Sequence, residues 1–145
     1  MGITVRKMTE DDIDFVSELD KAVFKISWSE QSVRDEFVKD YAYYYIAESD
    51  GEKIGYAGIW CIYETGEIAR IAARPMSRRM GAGDALMCAL MSKAREKNCE
   101  NVMLEVRASN VPAKALYEKH GFKEVSVRRG YYDGEDASVM VCGLK

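Results

Sequence analysis

The chain has 145 residues, 48% of them apolar and 31% charged, with a net charge of −3 at neutral pH. That length suits one domain burying roughly two-thirds of the surface its unfolded chain exposes, and the acidic balance argues against general nucleic-acid binding, which wants a basic face. No apolar run reaches the roughly 18–20 residues of a membrane span, and residues 1–7 lack the apolar centre of a signal peptide.

Residues 3–8 alternate weakly and predict a short first strand. Thr9 is a good N-cap, and Ile13, Val16, Leu19 and Val23 supply a helical apolar stripe behind it. Six acidic residues fall between Glu10 and Asp20, with no Lys or Arg before Lys21. They read as a solvated face that complements the helix dipole, or alternatively as a negative rim that attracts an amine. Ser29 caps a second helix running through Val33, Phe37 and Val38. Residues 43–49 and 53–63 then read as strands around an Asp50-Gly51 turn, a strong hairpin signal. A turn at Thr65 and Gly66 leads into a strand over 67–73, completing an antiparallel meander. Downstream the pattern predicts a helix over 84–97, a strand over 101–106, a helix over 112–120 and strands over 122–129 and 137–144. Antiparallel strands followed by a strand–helix–strand unit imply a mixed α/β sheet with helices on its faces. With no repeat, low-complexity segment or linker, residues 1–145 read as a single domain. The scattered Cys61, Cys88, Cys99 and Cys142 form no Cys-x-x-Cys pair and read as buried or incidental thiols in a reducing, cytoplasmic compartment.

The segment Arg78-Arg79-Met80-Gly81-Ala82-Gly83 joins the strand over 67–73 to a helix. Strand, small-residue turn and helix N-terminus together make an anion cradle, because unpaired N–H groups and the positive end of the helix dipole converge there. A P-loop would need Gly-x-x-x-x-Gly-Lys-Ser/Thr, which is missing. A dinucleotide fingerprint fails at Leu86, where Gly or Ala is required, although Glu105 lies about twenty residues on as the ribose-binding acid would. The third pattern, Arg/Gln-x-x-Gly-x-Gly/Ala after a strand, is satisfied. It is the acetyl-CoA motif of the GCN5-related N-acetyltransferases (GNAT), and the order of elements resembles that family too. The stretch Leu104-Glu105-Val106-Arg107-Ala108-Ser109-Asn110 resembles the RimI-type branch, as do Ala115-Leu116-Tyr117-Glu118, Gly121-Phe122, Arg128-Arg129-Gly130-Tyr131-Tyr132, Gly134-Glu135-Asp136-Ala137 with Met140, and Trp28-Ser29-Glu30. The resemblance spans almost the whole chain. It implies the GNAT fold, a mixed central sheet of about seven strands with about four helices on its faces.

Acetyl transfer from a thioester to an amine needs a neutral amine, donors for the oxyanion and a proton for the departing thiolate. Glu105 lies near the end of an apolar strand on the same face as Met103. The pattern leaves open a buried carboxylate able to take a proton and a plain ion pair with Arg107 or Arg128. The resemblance implies that Glu105 is the general base. Tyr117 returns, seven residues after Asn110, to nearly the same helical face and reads from the pattern as a core tyrosine beside Leu116 or as an acid; the resemblance implies the acid that protonates the thiolate. Asn110 reads as an N-cap and, by resemblance, also touches the cofactor. Ile71, Ala72 and Ala73 match the strand whose backbone N–H serves the oxyanion. The N–H groups of Arg79, Met80, Gly81, Ala82, Gly83 and Asp84 are expected on the pyrophosphate, while Arg70, Arg74, Arg78 and Arg79 read as a lure for phosphates or alternatively as a solvated basic turn. Asp84 departs from the usual Arg or Lys and is expected to point away from the cofactor. Gly130 stands where the branch often has Asn. Trp28, Tyr131 and Tyr132 read either as walls of the acceptor slot or as simple packing, and His120 suits the helix C-terminus.

The resemblance implies acetyl-CoA as co-substrate, with no metal, and direct transfer in a ternary complex. The expected acceptor is the N-terminal alanine of a small-subunit ribosomal protein. Alternatives are a small-molecule amine, a lysine, or a non-catalytic acetyl-CoA sensor.

Overall fold

A computed structural model describes residues 2–132 and 134–144; Met1, Asp133 and Lys145, and the side chains of Met76, Arg78 and Arg79, lie outside the described residues. The Asp50-Gly51 turn works as expected, with both residues at positive φ (51° and 80°). It joins β2 (Ala42–Ser49) to β3 (Glu52–Ile62), and β4 (Thr65–Ala73) pairs antiparallel with β3. β1 (Ile3–Lys7) adds an outer antiparallel strand on β2, extending the expected meander from three strands to four. β5 (Asn101–Arg107) lies parallel to β4, while β7 (Glu135–Gly143) inserts antiparallel between β5 and the edge strand β6 (Lys123–Tyr132). The described residues thus form a seven-stranded mixed sheet in the order β1-β2-β3-β4-β5-β7-β6.

Four helices cover its two faces. α1 (Ile13–Val23) and α2 (Glu30–Phe37) pack with Met8, Tyr44, Ile46, Tyr56 and Ala72 into one core. α3 (Ala82–Glu96) and α4 (Val111–Lys119) cover the other face, burying Leu86, Met87, Leu90 and Met91 against Ile59, Val102, Leu104 and Met140. Gly58 is required where the Tyr44 ring crosses the sheet, since a Cβ there would lie 2.1 Å from that ring. Among the described residues no helix is long and apolar enough to cross a membrane.

Two local expectations are corrected. The second helix does not run through Val38, which is its C-cap and 75% exposed, because α2 ends at Phe37. The acidic run is neither wholly a solvated face nor a rim, for Asp12 and Asp20 are buried while Glu10, Asp11, Asp14 and Glu18 are exposed. Thr9 caps a short 3-10 turn (Glu10–Asp12) rather than α1 itself, its N–H donating to Asp12 Oδ2 at 2.8 Å. Asp12 also binds Arg6 at 2.8 Å and Lys53 at 2.7 Å, pinning β1 and β3 to the start of α1.

The Arg6 guanidinium and Lys53 hold the Asp12 carboxyl well below the usual carboxylate range, against the cost of burial. A depressed folded-state pKa gives stability that is complete above the unfolded value, near pH 4, and is lost as the pH falls through the folded one. Asp12→Asn is therefore expected to destabilise the fold by about 2–3 kcal/mol at pH 7, below the full penalty of a broken buried pair because Arg6 and Lys53 are partly exposed. Thermal melting from pH 7 to pH 3 checks this: the wild type should lose stability below about pH 4 and the variant should show a flatter curve.

Candidate functional site

The site is built on an interrupted ladder. β4 and β5 pair only from Thr65 to Glu67 and from Asn101 to Met103, yet the strands run on to Ala73 and Arg107. Past Glu67, β4 is held from its other side alone, where β3 partners it as far as Ala73. Ile71, Ala72 and Ala73 lie along this open edge, Ala72 buried and its neighbours half-buried. An edge of unpaired backbone groups can accept an extended ligand as a strand accepts a partner.

Beyond Ala73 the chain makes a 3-10 turn (Pro75–Met80) anchored by Arg74 N–H to Ile54 O at 2.8 Å and Ser77 N–H to Arg74 O at 2.8 Å. Gly81 follows at φ 92°, a left-handed position that favours glycine, and α3 starts at Ala82. The expected boundary at Asp84 is thus two residues late, and Ala82 and Gly83 belong to the first helical turn. No side chain caps this N-terminus, and the first helical bond runs from Ala85 N–H to Gly81 O at 3.0 Å. The first-turn N–H groups and the dipole of a 15-residue helix are left for an anion. Gly83 serves a second purpose, for a Cβ there would lie 3.0 Å from Leu116 of α4. The Arg78 and Arg79 side chains, expected at the phosphates, lie outside the described residues.

The other expected basic residues go elsewhere. Arg74 stacks on Phe15 at 5.4 Å. Arg70 lies between Phe24 and Trp28, its guanidinium carbon 4.2 Å and 4.5 Å from the ring centroids, and pairs with Asp20 at 3.5 Å. This corrects the picture of a four-arginine lure: Arg70 is absorbed by a buried acid and two aromatic rings. Asp84 turns to the C-terminal end of α4, 3.1 Å from Lys119 Nζ and 2.9 Å from His120 Nε2, and these partners hold its carboxyl below the ordinary value. His120 is the C-cap of α4, as its position suggests, and through Asp84 also ties α4 to the start of α3.

Val102, Leu104 and Val106 enter the α3–α4 core, so alternation turns Met103, Glu105 and Arg107 to the opposite face. The Glu105 side chain is 14% exposed and pairs with Arg128 at 2.8 Å, so the ion-pair reading holds as geometry. Arg128 stacks on Tyr131 at 4.3 Å, and Tyr132 O–H donates to Glu105 O at 3.3 Å. Arg107 stacks on Tyr132 at 4.7 Å and pairs with Glu135 at 3.2 Å, while Glu135 accepts the Ser109 N–H at 3.0 Å. The β6–β7 hairpin thereby carries Tyr131 and Tyr132 against the end of β5 and the loop before α4. Trp28 packs edge-on to Tyr44 at 6.4 Å, as part of the α1–α2 core margin.

Glu67 is a residue the sequence reading missed. It occupies the last rung of the ladder opposite Met103 and, with Ile68 in the α3–α4 core, turns to the Glu105 face. Burial and the nearby Glu105 charge push its carboxyl above the ordinary value. Its only signal in the chain was a lone acid inside an apolar strand. Tyr117 lies on the other face, in the α3–α4 core, 6% exposed and 6.1 Å from Phe122 by ring centroids. Burial pushes its phenol up, with Tyr132 adding to the shift. Asn110 caps α4, its side-chain oxygen accepting the Ala113 N–H at 3.2 Å. Glu105 and Tyr117 therefore lie on opposite faces of the sheet, an arrangement that can take a proton on one side and give one on the other.

The model of the acetyltransferase (GNAT) family matches residues 13–122. A Bacillus subtilis (strain 168) protein provisionally named a [ribosomal protein bS18]-alanine N-acetyltransferase is 37% identical over 139 residues, which are 94% of this chain and 92% of that protein. An N-alpha-acetyltransferase of Sulfurisphaera tokodaii is 43% identical over 124 residues, covering 75% of this chain and 74% of its own. Among solved structures, the ribosomal-protein-S18-alanine N-acetyltransferase from Escherichia coli superposes with a TM-score of 0.91 at 28% identity, over 99% of this chain and 95% of that one. With the family model spanning most of the chain and relatives above 30% identity over nearly its whole length, the protein belongs to the GNAT family of acetyl-CoA-dependent N-acetyltransferases.

Proposed function

We propose that this chain transfers an acetyl group from acetyl-CoA to the α-amine of a protein N-terminus, the alanine of a small-subunit ribosomal protein being the favoured acceptor, by direct attack in a ternary complex. The observation that carries the reading is the β4–β5 ladder that stops after three residue pairs. The uncapped N-terminus of α3 lies past the open strand edge, and a pair of carboxylates lies on the Glu105 face. The acceptor class is supported by relatives named for Nα-acetylation at 37% and 43% identity.

The donor set suits coenzyme A: the first-turn amides of α3 with the backbone of Arg79, Met80 and Gly81 would hold the pyrophosphate, and Asn110 would touch the same ligand. Acetyl-CoA supplies a carbonyl activated as a thioester. Backbone N–H groups along Ile71, Ala72 and Ala73 serve the negative charge that develops on its oxygen, a preorganised role that needs no rearrangement during the reaction. Glu105, assisted by Glu67, takes the proton from the acceptor ammonium, directly or through water. Tyr117 gives a proton to the thiolate on the opposite face. Trp28, Tyr131 and Tyr132 flank the acceptor.

Release of free coenzyme A, measured with a peptide beginning Ala-Arg-Tyr against polyamines and aminoglycosides, tests the acceptor. Turnover of the peptide alone supports the reading. Turnover of small amines alone overturns the protein acceptor, and calorimetric binding of acetyl-CoA without turnover of any acceptor makes the protein a sensor.

A further inference from the structure

We infer that Arg70 is a positioning residue that sets acceptor specificity by locking the segment between α1 and α2 into one wall of the acceptor slot. The inference rests on the acetyl-transfer reading above and adds a residue to it.

The segment from Phe24 to Ser29 has no regular secondary structure; Phe24 and Trp28 border the α1–α2 core, while Ile26 between them is 68% exposed. Arg70 reaches it from β4. A bulge opposite Gly58 and Ile59 leaves Ala69 without a partner and turns Arg70 to the α1–α2 face, while Ile68 remains in the opposite core. There the guanidinium fills the space between the Phe24 and Trp28 rings and donates to Ile26 O at 3.1 Å. Asp20, fully buried at the end of α1, completes the lock: it accepts Trp28 N–H at 2.5 Å and the Tyr56 hydroxyl, and pairs with Arg70. Two rings and one backbone carbonyl of the segment are thus held by one side chain that is itself 15% exposed.

The same side chain belongs to the slot. Glu67, Arg70 and Glu105 share one sheet face, opposite the side chains of Ile68, Leu104 and Val106. The wall carrying Ile26 and Trp28 therefore takes its position from the strand that carries the open edge. Arginine suits this task because a planar fork can stack on two rings and still donate in its plane, which an ammonium cannot do. A site whose walls are held by a rigid strand discriminates better than one with a loose wall.

The test compares Arg70→Gln and Arg70→Lys with the wild type, using whichever acceptor the wild type turns over. Arg70→Gln is expected to raise the acceptor KM by about tenfold or more, with the acetyl-CoA KM changed by less than about twofold. The preference for Ala-initiated over Met-initiated peptides should fall, and tryptic cleavage after the exposed Lys25 should speed up by about tenfold. Arg70→Lys, which keeps a cation between the rings, should recover part of each effect. An unchanged acceptor KM overturns the proposal, as does a parallel rise of both KM values. Unchanged cleavage after Lys25 refutes the locking itself, whatever the acceptor proves to be. Turnover of small amines alone defeats the peptide reading but leaves the KM comparison to judge Arg70.

Discussion

Tyr117→Phe is expected to lower kcat by about 10²–10⁴ while leaving the Kd for acetyl-CoA nearly unchanged. The substitution removes one oxygen and keeps the ring, so the packing against Phe122 and the α3–α4 core survives and the fold should melt within a few degrees of the wild type. The loss falls on the step in which sulfur departs. An alkyl thiolate released without a proton in a largely buried site is poorly solvated, and a positioned phenol relieves that charge. Burial pushes the phenol above its ordinary value, so it stays protonated across the working range. Proton transfer from it to a thiol of ordinary pKa near 8.5 runs uphill, and what the phenol offers is position and a hydrogen bond to sulfur rather than acid strength. Two measurements check this. Single-turnover and steady-state rates should fall together in the variant, and the wild-type kcat should show no basic limb from Tyr117 below about pH 10. Unchanged turnover in Tyr117→Phe would remove it from the reaction.

Glu105→Gln is expected to reduce kcat/KM for the acceptor by about 10²–10⁴ at pH 8, with a smaller loss, about tenfold, for Glu67→Gln. The two carboxylates share one face, and Arg128 bonds to Glu105 at 2.8 Å. Glu105 is held in an ion pair, while burial and the nearby Glu105 carboxylate push the Glu67 carboxyl above its ordinary value. Removing Glu105 also removes that neighbour, so the Glu67 carboxyl should titrate lower in Glu105→Gln than in the wild type. The stability consequence has the opposite sign to that of Asp12. A carboxyl raised in the folded state favours folding at low pH, and the advantage is lost as the pH rises through the folded value. At pH 8 ionised Glu67 is a liability, and Glu67→Gln should raise the melting temperature while lowering activity, by about 1 kcal/mol or less because the group keeps contact with water. A Glu67→Gln protein that is both less stable and fully active would refute its place beside the base.

The order of elements was legible because each rests on a local signal: the Asp50-Gly51 turn, the Ser29 and Asn110 caps, and the alternation of Val102, Leu104 and Val106. The glycine segment was legible for the same reason, since Gly81 needs its positive φ wherever the rest of the chain goes. What escaped depends on two distant stretches meeting. Glu67 is ordinary until the ladder ends beside it and Glu105 comes near. Arg70 counts as one cation among four until Phe24, Trp28 and Asp20 close around it. Asp12 looks like helix-start decoration until Arg6 and Lys53 reach it from two strands. Val38 has the right spacing for the stripe, but the helix stops one residue short of it.

The three rungs that join β4 to β5 also divide the sheet mechanically. Four antiparallel strands stand on one side and β5, β7 and β6 on the other, with α3 and the few pairs between Thr65 and Glu67 as the hinge. Backbone amides that face the gap beyond that hinge should exchange with solvent deuterium faster than those of the β2–β3 pair between Ala42 and Ala47, where the ladder is unbroken. An elongated ligand that filled the gap would supply the missing rungs and would have to order the two halves against each other. Part of its intrinsic affinity would be consumed in that ordering.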